Sequence, residues 1–246
     1  MALEIFGTIK NSYSTLFGNR TVLVYVLIMS VLAAILVAAA GLPLATQKAA
    51  YTPAITNPTM AIASIVILFL VSIFFSGAII TAAGSSADIG TAAKNAISRY
   101  LPLVGTSILV AIIGVVPFAV LYTIGLLLML AGAGSALLAL GAIIVIVAVV
   151  VLFYMITRLS ISTVGTVLGK RGPVDSVKHS WSATKGNLWH VFAIFISVTI
   201  VSSIIGEVLV YALAAAGLQA IGLFVLTFLG SASTIAFVRI YQALPG

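Results

Sequence analysis

The chain alternates between long apolar runs and short polar segments. Six runs are long enough to cross a bilayer as helices, because a hydrocarbon core of about 30 Å requires about 20 apolar residues. The runs are Val22–Leu42, Met60–Ala83, Leu103–Ala131, Ser135–Ser160, Val191–Ala216 and Leu218–Tyr241. Connections within each pair are short, apart from a proline-containing one after the first run, so the pattern predicts three transmembrane hairpins. The first run is longer than an ordinary signal-peptide core, and we expect it to stay in the protein.

The polar segments carry one signature at a constant interval. Lys10, Lys94 and Lys178 are separated by 84 residues both times (94 − 10 and 178 − 94). A serine and then a helix-bending residue follow each lysine at fixed offsets: Ser14 and Gly18, Ser98 and Pro102, Ser182 and Gly186. Apolar positions recur at helical spacing on one face of each segment, which predicts three short amphipathic helices lying in the membrane interface.

The expected fold is therefore a single all-α, polytopic membrane domain over residues 1–246. It has six transmembrane helices in three parallel repeats, each an amphipathic interfacial helix followed by a transmembrane hairpin. The repeats are predicted at 1–83, 84–167 and 168–246. They are parallel because a module with two spans returns the chain to the side from which it entered.

Composition agrees with this interpretation and excludes several function classes. The chain is 63% hydrophobic and 6% charged, whereas soluble domains carry roughly 25% charged residues. It has no cysteine, four acidic residues and two histidines, too few for general acid–base chemistry or a histidine and carboxylate metal site. We therefore expect no enzyme activity, no metal and no cofactor. The net charge of +7 is assigned to the membrane rather than to nucleic acid, because the basic residues cluster on one side.

Ten of the eleven basic residues fall on that side of the six-span topology, and only Lys48 falls on the other. The positive-inside rule then places both termini and the three amphipathic segments in the cytoplasm, with the protein in the cell membrane.

The amphipathic segments have two interpretations. They are connectors that position the hairpins, or their basic faces contact anionic lipid headgroups or a cytoplasmic partner. The candidate contact residues are Lys94, Arg99, Lys170, Arg171, Lys178, Lys185, Trp181 and Trp189.

Glu207 is the one acidic residue inside a predicted span. Because a carboxylate in hydrocarbon is costly, it is a candidate cation or proton site. The alternative is a position near the outer boundary, where it is wetted or neutral. Arg158 and Arg239 lie near the ends of their spans and are expected to extend their guanidinium groups to the interface.

The segment Val174–Phe192, VDSVKHSWSATKGNLWHVF, resembles the hallmark of the membrane domain found beside some glycerophosphoryl diester phosphodiesterases, and of related stand-alone six-span proteins of unknown function. The similarity lies in the Ser-Trp pair, the Thr-Lys-Gly-Asn run and the aromatic residue before the fifth span. The rest of the chain is similar only in hydropathy. The catalytic barrel of those phosphodiesterases has no counterpart here, so the resemblance implies a membrane domain without that activity.

These observations favour a non-enzymatic membrane protein that acts as a scaffold or accessory subunit. Its expected partners are membrane lipids and either another membrane protein or a second copy of the chain. The alternative is a small transporter or channel that uses Glu207. A lipid-modifying enzyme is disfavoured, because acids and histidines are scarce.

Overall fold

The structure is a computed structural model and describes residues 4–39, 58–132, 136–215 and 219–244. Over these ranges it contains ten α-helices and no strand. In chain order they are α1 Ile5–Gly18, α2 Arg20–Ala39, α3 Pro58–Ser85, α4 Ile89–Ser98, α5 Tyr100–Ala131, α6 Ala136–Leu159, α7 Ser162–Val167, α8 Pro173–Ala183, α9 Leu188–Ala215 and α10 Gln219–Ala243.

Five stretches are long and apolar enough to cross a membrane: α3, α5, α6 continued by α7, α9 and α10. Helices α1 and α2 meet at an angle of 80° and pass the same test as a bent pair. The predicted all-α membrane protein is thus confirmed, with five candidate spans, or six if the bent pair counts as one. The connection over residues 40–57, including Lys48, lies outside the described residues.

The bend between α1 and α2 is built around Asn19. Its Oδ1 accepts hydrogen bonds from the backbone N–H groups of Thr21 at 3.0 Å and Val22 at 3.1 Å, as an asparagine does at a helix start. Its Nδ2 donates to the carbonyl of Ala82 in α3 at 3.2 Å. One side chain therefore starts α2 and ties that start to the end of the hairpin.

Each short helix packs against a hairpin other than the one that follows it. In α1, the Tyr13 hydroxyl lies 2.8 Å from Ser202 Oγ of α9, and Thr15 Oγ1 accepts from Arg239 of α10 at 2.8 Å. Tyr13 therefore reaches about four turns along α9. Its hydroxyl is therefore used in a contact between helices.

The other two short helices follow the same scheme. The Tyr25 hydroxyl of α2 donates to the carbonyl of Ile89 at the start of α4, at 2.6 Å. In α8, Ser180 Oγ donates to the carbonyl of Arg158 in α6 at 2.7 Å. Thus α1 packs on α9–α10, α4 on α3 with a hydrogen bond from α2, and α8 on α5–α6 with α7, which links the three hairpins in a ring.

The hydrophobic core lies at the end of the bundle that carries the short helices. Val22, Ile80, Leu103, Val191 and Ile240 are all essentially buried, and each belongs to the part of its helix nearest a short helix. We call this end the short-helix face and the opposite end the far end. A bundle closed at one end and apolar outside at the other is what a lipid environment permits, because lipid covers apolar side chains as well as protein does.

Candidate functional site

The predicted basic residues lie together on the short-helix face. Lys94, Lys170, Lys178 and Lys185 are exposed, as is Lys10. In the described residues no carboxylate lies within 4.0 Å of any of these ammonium groups. The positive charge of this face is therefore not neutralised by internal ion pairs.

The two predicted arginines are more constrained than the lysines. Arg99 Nη1 donates to the carbonyl of Lys170 at 3.3 Å, which joins the start of α5 to the connection before α8. Lys170 has a positive φ of 51°, a left-handed conformation that is uncommon for a residue with a side chain. Arg171, in the same connection, is partly buried. Arg99 thus holds the connection through this hydrogen bond, while the lysine side chains are exposed.

The two tryptophans have different surroundings. Trp181 is 37% exposed and its ring meets that of Tyr154 edge-on, with centroids 6.0 Å apart. Trp189 is 76% exposed, and its one ring contact in the described residues is an edge-on contact with Phe192 at 6.0 Å. A tryptophan exposed to this degree at the end of an apolar helix is typical of a membrane–water interface.

Arg158, a residue outside the predicted contact set, occupies the centre of this region. It is only 8% exposed, so the expectation that it extends to the interface is wrong. Its guanidinium carbon lies 5.3 Å from the ring centroids of both Tyr154 and Trp181. Nε donates to the Tyr154 hydroxyl and Nη1 to the Trp181 carbonyl, each at 3.2 Å.

The geometry explains why Arg158 is held inward. Two aromatic faces offer a cation–π environment, and a carbonyl and a hydroxyl accept its hydrogen bonds. The contact with Tyr154 could have been predicted from the sequence, because Tyr154 precedes Arg158 by one helical turn and shares its helix face. Trp181 could not be assigned from the sequence, since it lies on a different helix.

An apolar groove of about 410 Å³ opens beside Arg158, between α6 and the start of α9. Phe153, Tyr154, Trp189 and Phe192 form its aromatic walls. The groove, the buried cation and the exposed lysines together present apolar surface next to positive charge. A phospholipid has the same arrangement with the opposite sign, an acyl chain next to a phosphate.

Glu207 is not part of any such assembly. Its side chain is exposed on α9, on a surface it shares with exposed Ile204, Val208 and Tyr211. The structure therefore places the candidate intramembrane polar site on the outside of the bundle, away from the interior of the described helices.

The two histidines have different surroundings. His179 packs edge-on against Tyr241 of α10, with ring centroids 5.7 Å apart, and His190 is exposed. Partial burial and, secondarily, the positive charge of Arg171 lower the pKa of His179. The described residues contain no group of three or more His, Cys, Asp or Glu side chains positioned to bind a metal.

Comparison with known proteins gives one match. No curated protein and no solved structure matches the chain. Residues 3–244 match the family described as a domain of unknown function, DUF7847. Because this match extends over nearly all of a membrane-type helical chain, the protein belongs to the DUF7847 family.

Proposed function

We propose that this protein is a non-enzymatic scaffold or accessory subunit of the cell membrane, and that its short-helix face binds anionic lipid headgroups. The supporting observation is the set of exposed lysines without carboxylate partners in the described residues, next to the exposed Trp189. Basic residues near a membrane surface each contribute about 1 kcal/mol of attraction to anionic lipid. The groove beside Arg158 supplies the apolar surface that an acyl chain requires.

The proposal includes three parallel repeats. The short helices start at Ile5, Ile89 and Pro173, again 84 residues apart (89 − 5 and 173 − 89). The equivalent positions Ser12, Ala96 and Ser180 are all completely buried, so each short helix turns a small residue toward its hairpin. This is the pattern that three copies of one module would leave.

It also includes six spans, with the bent pair α1–α2 counted as one, and both termini in the cytoplasm. The chain has no cysteine, so single cysteines report topology without background. Thr59→Cys and Lys178→Cys place an exposed thiol at the far end and on the short-helix face respectively. An impermeant maleimide added outside cells should label the first and not the second; the reverse result would overturn the orientation.

The lipid proposal is tested by charge reversal. The double variant Lys178→Glu/Lys185→Glu, purified from vesicles of phosphatidylglycerol and phosphatidylcholine, should retain less phosphatidylglycerol at low salt. The expected loss is on the order of tenfold, and it should shrink at high salt because screening already weakens the wild-type contact. Lys48→Glu, on the opposite side of the proposed topology, is the matched control. Equal retention by all three proteins at every ionic strength would leave the short helices as connectors only.

The alternative, a transporter or channel using Glu207, has less support from the geometry. A cation or proton site needs its carboxylate beside a polar path, and the Glu207 side chain is on the exposed surface of α9. The structure does contain a mainly apolar cavity with hydroxyl groups in its wall, but it lies elsewhere and none of its lining residues is ionisable.

A further inference from the structure

A second cavity, of about 350 Å³, lies between the second hairpin and the other helices. Leu103 and Ser107 of α5 line one side, and Ser76 of α3 and Thr234 of α10 line the other. Its floor is the break between α6 and α7, where Ser160 and Thr163 contribute hydroxyls. The irregular backbone of this break thus lines the cavity.

The cavity opens to the apolar surface of the protein. Phe69, one of its lining residues, is 43% exposed, and the neighbouring Ile65 and Val66 of α3 are 54% and 50% exposed. A molecule entering at Phe69 would therefore come from the membrane rather than from water. The volume falls in the range of small-molecule sites, about 300–1,000 Å³.

The hydroxyls that line this cavity fall into two groups, those that bond to the backbone and those that do not. Hydroxyls in membrane helices commonly bond to the carbonyl one turn back, and Thr81, Thr106 and Thr157 do so at 2.7–2.9 Å. Two cavity hydroxyls are likewise satisfied, Ser72 by the carbonyl of Phe69 and Ser160 by that of Thr157.

Four others have no hydrogen-bond partner in the described part of the chain: Ser76, Ser107, Thr163 and Thr234. They come from α3, α5, α7 and α10 and surround one space. A hydroxyl can both donate and accept, so together they can bind any neutral group that does the same.

The charge of the cavity restricts the ligand further. None of its lining residues is ionisable, and a charged group in such a place would lack a counter-ion in a low-dielectric medium, which is costly. The remaining lining is apolar and includes Phe195 and Phe237, whose rings stack at 5.8 Å. The lining therefore favours a ligand that is uncharged, has polar groups able to form hydrogen bonds with hydroxyls, and has an apolar body.

We infer that this cavity is a binding site for the head of an uncharged lipid alcohol, such as a diacylglycerol, which enters from the membrane beside Phe69. The glycerol hydroxyl and the ester carbonyls next to it share the four unpartnered hydroxyls as hydrogen-bond partners, and the chains lie along the exposed apolar surface of α3. This site is separate from the lysine-rich site proposed above, which requires an anionic headgroup rather than an uncharged one.

The test compares two photoactivatable lipids that differ only in the head. A diacylglycerol with a diazirine in one acyl chain should label peptides of the reconstituted protein that contain Phe69 or Phe237. Phosphatidic acid with the same chains should label them at least fivefold less. Equal labelling of these peptides by the two lipids would overturn the assignment.

Variants identify the groups responsible. Ser76→Ala/Ser107→Ala should lower diacylglycerol labelling at least fivefold, whereas Ser203→Ala, an exposed serine on the outer surface of α9, should leave it unchanged. Thr234→Val keeps the side-chain shape and provides a second, milder variant if the double variant does not fold. Labelling of Ser76→Ala/Ser107→Ala, or of Thr234→Val if only that variant folds, at the level of Ser203→Ala would contradict the site.

Discussion

The two ends of the helix bundle differ in what their side chains contact. At the short-helix face, α3 and α10 bury small and polar residues such as Ala82, Thr81 and Ala236. At the far end, α5 and α6 expose Val120, Leu127 and many similar residues. The most apolar span, α6 continued by α7, is the least buried, whereas α3 is second in hydropathy and the most buried. The comparison shows that overall apolarity does not tell which helix packs, whereas small and hydroxyl-bearing residues such as Ala82 and Thr81 lie where helices meet.

The largest loss of stability is expected at the short-helix face, where one aromatic side chain covers a buried cation. Trp181→Ala removes a ring that covers the Arg158 guanidinium and leaves that buried cation with fewer partners. We expect a loss of about 2–3 kcal/mol, below the value for a fully buried tryptophan because Trp181 is 37% exposed. Thermal unfolding in detergent measures it. Trp189→Ala, which does not touch Arg158, is the matched control and should cost less than about 1 kcal/mol. Equal losses for the two variants would show that the Trp181 ring does not stabilise the buried Arg158.

A smaller effect is expected at the far end, where the second hairpin packs on itself. A Cβ at Gly141 would lie 2.6 Å from the Gly125 carbonyl oxygen and 2.8 Å from the Met129 backbone nitrogen, so α5 and α6 would have to separate. Gly141→Ala should therefore cost about 2 kcal/mol. Gly230→Ala in α10 makes the same change where nothing lies within 4 Å, and it should be neutral or slightly stabilising. A neutral Gly141→Ala would show that the far end is not held by this contact.

The stability of the short-helix face should also depend on pH, through His179. Its pKa is lowered in the folded protein by burial and by Arg171, so below an unfolded-state value near 6.5 the unfolded chain binds more protons. Stability from this group is therefore present above about pH 6.5 and decreases as the pH falls below it. In His179→Gln the melting temperature should fall less between pH 8 and pH 5 than in the wild type. His190→Gln, at an exposed histidine, should leave this pH dependence unchanged. An unaltered profile for His179→Gln would exclude His179 as the source.

The smallest effect is expected from Glu207. Because its side chain is exposed on α9, Glu207→Gln should change neither the melting temperature nor cation and proton flux in reconstituted vesicles. Loss of flux with folding intact would replace the scaffold proposal by the transport alternative.

Much of the helix placement could be predicted from hydropathy. The second apolar run was placed at Met60–Ala83 and the helix is Pro58–Ser85; the third was placed at Leu103–Ala131 and the helix is Tyr100–Ala131. The predicted basic residues also lie on one face, because their positions at helix ends follow directly from the runs between them. The contacts of individual residues were harder to predict from the sequence. Arg158 was expected at the interface and is buried, because its aromatic partner Trp181 comes from a different helix.

The sequence by itself determined that this protein is helical and membrane-embedded, and it supplied the 84-residue spacing at which the short helices begin. Those properties depend on the transfer free energy and spacing of local segments, which composition and order contain directly. Only the tertiary structure decided that Tyr13 bonds to α9, that Glu207 lies outside, and that Ser76, Ser107 and Thr234 surround one cavity. A helix that is apolar on all sides gives no indication of which side packs, because lipid and protein interior are equally favourable to it.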